Sequence, residues 1–280
     1  MSASLDGRST AVAVVAAVVA WTIWGLVLVA SFVDHPVTLT AVRVATPVGP
    51  VAAVAVTTVW AAPDAAASTT ALGIAGVVLS LVATACAWSG PLSDEYVDGA
   101  SYGDERRFAL RVPATFLLGP VPVFWLALVG GATAGPLLLA ARAWIPGVAV
   151  TLLGAVVAVP AVRAFHGLSK RWLVFVPAGI TLVDHLVLVD PVLFPARRIA
   201  GVGPAPVTTT ATDLSQGAWG LVLEIAFDAP VEVAARTSRS DGELQLLDAV
   251  LVSPAGPGAV VVEATRRGLQ RAVVSGTISG

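Results

Sequence analysis

The period of the apolar pattern changes once along this chain, at His166-Gly167-Leu168-Ser169-Lys170-Arg171. Upstream, apolar residues come in long blocks; downstream, short apolar runs alternate with polar residues and turns. A block of about 20 apolar residues matches the hydrocarbon core of a bilayer when it is helical. Period-2 alternation instead marks strands with one buried face. The chain therefore reads as a membrane helical bundle over residues 1–167 and a mostly-β, water-facing domain over residues 168–280.

Composition supports the membrane assignment. Charged residues make up 12% and mean hydropathy is +0.86, whereas a soluble domain carries about 25% charged residues. The net charge of −2 lacks the basic excess expected of a nucleic-acid partner. Cys86 is the single cysteine, so an internal disulfide is excluded and no metal cluster is suggested. No motif implies a cofactor, and no catalytic constellation stands out.

Spans are expected near 10–33, 41–62, 68–88, 113–133 and 144–165. The first follows Arg8 as a signal peptide would, but its apolar run is longer than a typical signal core and Trp21 and Trp24 interrupt it, so it reads as a retained helix. The second carries Arg43 near one end and Pro47 and Pro50 inside; it either spans or lies re-entrant or interfacial. Trp60, Trp88 and Trp144 fall near predicted ends, where indoles favour the interface. Ionisable residues are kept to the ends: Asp34, His35, Arg43, Asp64 and Arg142. Orientation follows the basic residues of short loops. Arg106, Arg107 and Arg111 in the 89–112 loop, and Arg163, Lys170 and Arg171 at the last exit, place that loop and the C-terminal domain in the cytoplasm of a cell-membrane protein. Five spans put the N-terminus outside; four put it inside.

The 89–112 loop holds Asp94, Glu95, Asp98, Asp104 and Glu105, five carboxylates within twelve residues. Hard cations such as Mg²⁺ and Ca²⁺ take oxygen ligands, which makes these five the metal candidates, though the spacing is not that of an EF-hand. Local pairing with Arg106 and Arg107 is the plainer reading. Docking of the loop onto the C-terminal domain is a third.

Downstream, strands are expected at 172–176, 180–183, 186–189, 192–194, 198–202, 219–227, 231–235 and 249–252. Turns fall at Pro177-Ala-Gly179, Asp184-His185, Asp190-Pro191 and Asp228-Ala-Pro230. Leu221, Leu223, Ile225 and Phe227 share one face, with Glu224 on the other. Thr208-Thr209-Thr210 and 236–243 read as loops. After Ser253-Pro254, residues 258–269 suit a short amphipathic helix begun by Pro257 and stopped at Gly268, with Val261 and Ala264 on one face and Glu263, Arg266 and Arg267 on the other. The β-branched run Val260–Val262 argues for a strand.

The run Arg171-Trp-Leu-Val-Phe-Val-Pro-Ala-Gly-Ile-Thr-Leu-Val-Asp184, then Pro191-Val-Leu-Phe-Pro-Ala-Arg-Arg-Ile-Ala-Gly-Val202, with Ser253-Pro254 leading into the last segment, resembles bacterial PH-like domains attached to membrane spans. The whole chain is similar to actinobacterial multi-pass membrane proteins, as its Arg, Ala, Val and Gly bias also suggests. The resemblance covers about 165–270 and implies a mostly-β PH-like barrel closed by one helix. It brings no activity and no catalytic residues.

A phosphoinositide site would need basic residues in the first hairpin, and 177–191 contains none. Arg163, Lys170, Arg171, Arg197 and Arg198 are the candidates for contact with anionic headgroups. His185 beside Asp184 lacks a nucleophile, and His166 reads as interfacial. The expectation is a non-enzymatic scaffold whose cytoplasmic module binds a protein partner, its own 89–112 loop or the inner leaflet, a peptide being received at an exposed sheet edge, as by strand addition, or at a barrel mouth. The alternative is a transporter or membrane-enzyme subunit with a cation-dependent 89–112 loop.

Overall fold

The computed structural model describes residues 10–60, 67–237 and 240–269; Arg8, Asp64 and residues 61–66 of the second connection lie outside them. The chain divides into two compact units. One comprises the residues up to Tyr96 with Phe116–Ser169; the other comprises Val97–Thr115 with the residues from Lys170 onward. The helical part therefore ends near 169 as the period change indicates, but the β unit also takes in 97–115, from within the stretch expected to belong to the membrane part.

The helical unit contains α1 (Thr10–Ala30), α2 (Pro36–Ala45), α3 (Val48–Trp60), α4 (Ala67–Ala87), α7 (Pro120–Ala140) and α8 (Trp144–Ser169). Five segments are long and apolar enough to cross a membrane: Thr10–Ala30, Pro36–Thr58, Thr70–Ala87, Pro120–Ala140 and Trp144–Ser169. The second begins earlier than its pattern suggests and is broken between α2 and α3. Pro47 explains the break, because proline lacks an N–H to continue the ladder and its ring crowds the carbonyl one turn back; Thr46 before it keeps helical angles and closes α2 through its N–H to the Val42 carbonyl. His35 starts α2 by accepting from the Val37 N–H at 3.2 Å, while its own N–H donates to Thr38 Oγ1. The fourth starts at Pro120 rather than 113, because a short helix, α6 (Ala114–Leu118), precedes the break at Gly119.

Small residues set the helix packing. Gly131 of α7 lies so close to Gly154 of α8 that neither has room for a methyl group. Gly135 similarly meets Thr151, and Gly73 of α4 meets Thr57 of α3. Close approach at small residues is how helices associate in lipid, where no hydrophobic drive between them exists.

The 89–112 stretch is not a loop throughout. Gly90–Asp98 forms helix α5, and Arg106–Ala109 forms strand β1. β1 pairs antiparallel with β2 (Trp172–Val176), setting Phe108 opposite Leu173 and Ala109 opposite Trp172. The first sheet runs β1-β2-β3-β4, with β3 at Gly179–Val183 and β4 at Val192–Pro195. Residues 186–189 are not a fourth hairpin strand. They follow the turn at Asp184 and make a bridge from Leu188 to Ala235, burying Val187 and Leu188.

The second sheet runs β5-β7-β8-β6, with β5 at Ile199–Pro204, β6 at Thr212–Asp213, β7 at Leu223–Thr237 and β8 at Ser240–Val252. Asp228-Ala-Pro230 does not end a strand. It forms a bulge, so that Ala226 faces Ala249 and Val231 faces Leu247. Bulges absorb unpaired residues and bend the strand while pairing continues. Likewise 236–243 belongs to the β7–β8 hairpin, with Arg236 opposite Asp241; residues 238–239 lie outside the described part. Among the described residues the strands form two four-stranded sheets, not a closed barrel. A 3₁₀ turn at Ala196–Arg198 separates the last strand of one sheet from the first of the other.

One core joins both sheets. It includes Phe108, Phe175, Ile180, Leu182 and Phe194 from the first, and Val202, Leu223, Ile225, Val233 and Val250 from the second. The final segment is helical, α9 (Pro257–Arg266), and adds Val260 and Ala264 to that core. Its buried face is Val260, Glu263 and Ala264, so Glu263 is not on the outer face. Two arginines clamp it there: Arg266 Nη2 and Arg267 Nε each donate to Glu263 Oε1 at 2.6 Å. Glu224 is also buried rather than outward, accepting from Thr209 Oγ1 at 2.5 Å.

Candidate functional site

In the β unit, the candidate headgroup residue Arg171 is not at a surface. Its side chain is 1% exposed. Nε and Nη2 donate to the two carboxylate oxygens of Asp184, both at 2.7 Å, and Nη1 donates to the Arg111 carbonyl at 2.9 Å. The planar fork of guanidinium matches a carboxylate in this bidentate way. The Leu186 N–H also donates to Asp184 Oδ1, so the expected turn is held by a buried ion pair. Arg111, expected only to bias membrane orientation, instead donates to the carbonyls of Pro254, Trp219 and Ala255. Between them, these two arginines tie the start of β2 to the chain leaving β1, the turn after β3 and the chain leaving β8.

His185, next to this pair, is itself exposed. Its pKa is held below the ordinary histidine value, first by desolvation, with Arg171 and Lys170 adding to the effect and Asp184 opposing it. The lowered value favours the neutral imidazole, but among the described residues no hydroxyl or thiol is bonded to it, and general-base work needs a proton donor within reach.

The five carboxylates do not converge. Asp98 pairs with Arg106 at 3.0 Å and accepts from Ser101 Oγ and the Arg107 N–H. Glu105 pairs with Arg107 at 2.9 Å. Asp104 is exposed, and its backbone carbonyl accepts from Arg267. Asp94 and Glu95 lie on α5 in the part counted with the helical unit. Among the described residues, no group of three His, Cys, Asp or Glu side chains is placed to hold a metal ion. The stretch spends its polar groups on starting a strand: Asp98 organises the turn, and the Arg106 and Arg107 guanidiniums lie over the Phe108 and Trp172 rings.

The remaining basic candidates are exposed: Arg163 on α8, Lys170 just after it, and Arg197 and Arg198 in the 3₁₀ turn. Among the described residues the β unit also has an open apolar edge. β6 pairs with β8 only at Val250 and Leu251. Among the described residues, no strand pairs with the outer side of β8 between Leu244 and Asp248. There Leu244 is 71% and Leu246 66% exposed, while Leu247 points into the core. These leucines are hard to read from the sequence because they lie between the polar run ending at 243 and the apolar run beginning at 249. The signal was Leu244-Gln-Leu246, a short alternation.

In the helical unit the burial of Arg43 has no signature in the sequence. This residue is 7% exposed. Its Nη2 donates to Ser93 Oγ at 2.7 Å, Nη1 to Ser169 Oγ at 3.4 Å and Nε to the Ala87 carbonyl at 3.4 Å, and the guanidinium lies 5.1 Å from the Trp88 ring centre. Its hydrogen-bond partners are neutral oxygens from α4, α5 and α8. A nearby groove of about 420 Å³ is lined by Leu26, Val37, Ala41, Val44 and Val162, with Thr40, Arg163 and His166 as its polar members. No family model, curated protein or solved structure matches the chain.

Proposed function

We propose that the protein is a non-enzymatic membrane scaffold whose β module, on the cytoplasmic side of the cell membrane, accepts an extended segment of a partner protein as an added strand along β8. The observation that carries this reading is the outer side of β8, unpaired among the described residues, with Leu244 and Leu246 exposed. An open strand edge presents free N–H and C=O groups for pairing, and side chains at alternate positions supply specificity. Two four-stranded sheets with a C-terminal helix in the shared core support the resemblance to PH-like modules. The exposed Lys170, Arg197 and Arg198 are available to the anionic inner leaflet, each adding about 1 kcal/mol near its surface.

The test is photo-crosslinking in native membranes from position 246 of the full chain, with position 193 on β4 as the control. A partner crosslinked from 246, lost when Leu244→Lys and Leu246→Lys are combined, is the expected result. Both leucines are exposed, so the double substitution should shift stability by no more than about 1 kcal/mol. Equal crosslinking from both positions, or crosslinking that survives the double substitution, would overturn the reading.

A further inference from the structure

We infer that the groove between α1, α2 and α8 is a binding site for an anionic phospholipid, with one acyl chain in the groove and the phosphate on Arg163. Three observations converge. The first is chemical composition: the walls are Leu26, Val37, Ala41, Val44 and Val162, whereas Thr40, Arg163 and His166 are the polar members. The volume of about 420 Å³ lies within the range of about 300–1,000 Å³ usual for small-molecule sites.

The second is depth. At about 1.5 Å per residue, the stretch of α8 from Trp144 to Arg163 is about 28 Å long, close to the ~30 Å hydrocarbon core. Trp144 is 63% exposed at one end of that stretch, where an indole belongs at the membrane–water boundary. Arg163 then falls at the opposite boundary, at the level of lipid phosphates. The third is charge. Arg163 is exposed and has no ion-pair partner among the described residues. His166 follows Arg163 by three positions and so shares its helix face. Thr40 Oγ1 is 3.3 Å from His166 Nδ1, which sets a polar rim beside the cation. A zwitterionic headgroup would put its own cation near Arg163; a phosphatidylglycerol headgroup would not.

The site does not depend on the β8 edge. Native mass spectrometry of the full chain in detergent, titrated with phosphatidylglycerol and with phosphatidylcholine of the same acyl chains, reads it directly. Phosphatidylglycerol should bind at least about fivefold more tightly, the factor equivalent to one basic residue at an anionic surface. Arg163→Gln should abolish that preference and Arg163→Lys should retain most of it. Ala41→Phe, which fills the groove and leaves Arg163 in place, should weaken both lipids. Equal affinity for the two lipids, a preference that survives Arg163→Gln, binding unaffected by Ala41→Phe, or displacement by glycerol phosphate as effective as by the whole lipid would each overturn the proposal.

Discussion

Arg43 in the helical unit and Arg171 in the β unit are both buried, at 7% and 2% exposure, yet they are accommodated in opposite ways. Arg171 has a full counter-charge in Asp184, bidentate and equally dry. Arg43 has hydroxyls, a carbonyl and an indole face. A bidentate ion pair demands one geometry, so it fixes the register of the elements that carry it. A ring of neutral acceptors satisfies the cation from several helices at once and creates no second charge that would itself need a partner. Loss of either partner therefore has different consequences in the two regions.

The largest effect is expected at the ion pair. Asp184→Ala or Arg171→Ala should destabilise the β unit by about 3–5 kcal/mol, because each leaves an uncompensated buried charge. Arg171→Met combined with Asp184→Leu should recover most of that loss, as read by hydrogen exchange of the β2 and β3 amides. A single substitution costing less than about 1 kcal/mol would break the comparison. Arg43→Met comes next, at about 1–3 kcal/mol, since it removes hydrogen bonds to charge without orphaning a carboxylate. Thermal unfolding in detergent measures it, and a cost equal to that of Asp184→Ala would erase the distinction between the regions.

The smallest effect concerns Glu263, whose pKa is lowered to about 2, chiefly by the hydrogen bond from Arg266 and against desolvation. A lowered folded-state pKa stabilises above the unfolded value, 4.5, and that contribution fades as pH falls through the folded value. Glu263→Gln should thus cost about 1 kcal/mol near neutrality, as a partly exposed ion pair does. The gap from the parent chain should close between pH 4.5 and about 2. A gap independent of pH across that window would show that packing, not charge, holds Glu263.

The division at 166–171, the five apolar segments and the C-terminal helix were legible because each is a local periodicity longer than one turn of structure. The break in the second segment was legible through Pro47. Strand β1 was not, because Arg-Arg-Phe-Ala carries no period and its partner β2 lies beyond two apolar helices. The Arg171–Asp184 pair was hidden for a related reason: Asp184 sits among turn residues, and nothing local distinguishes a buried carboxylate from a solvated one. Arg43 was visible as a charge in an apolar segment, but its acceptors come from three other helices. Of the proposed lipid site, Arg163 was legible in the sequence as a headgroup candidate, while the groove beside it exists only once α1, α2 and α8 are assembled.

The pairing of β1 with β2 encloses α7 and α8 within a single hairpin of the β unit. Two paired strands must lie on one side of any membrane, so the chain between them crosses an even number of times or not at all. During synthesis β1 emerges first and has no partner until both helices have been made and inserted. A chain in which only one of them crosses leaves β1 and β2 on opposite faces, with Phe108 missing from the core and Arg171 without the Arg111 carbonyl. Completion of the first sheet is thereby conditional on α7 and α8 returning the chain to the side on which β1 waits.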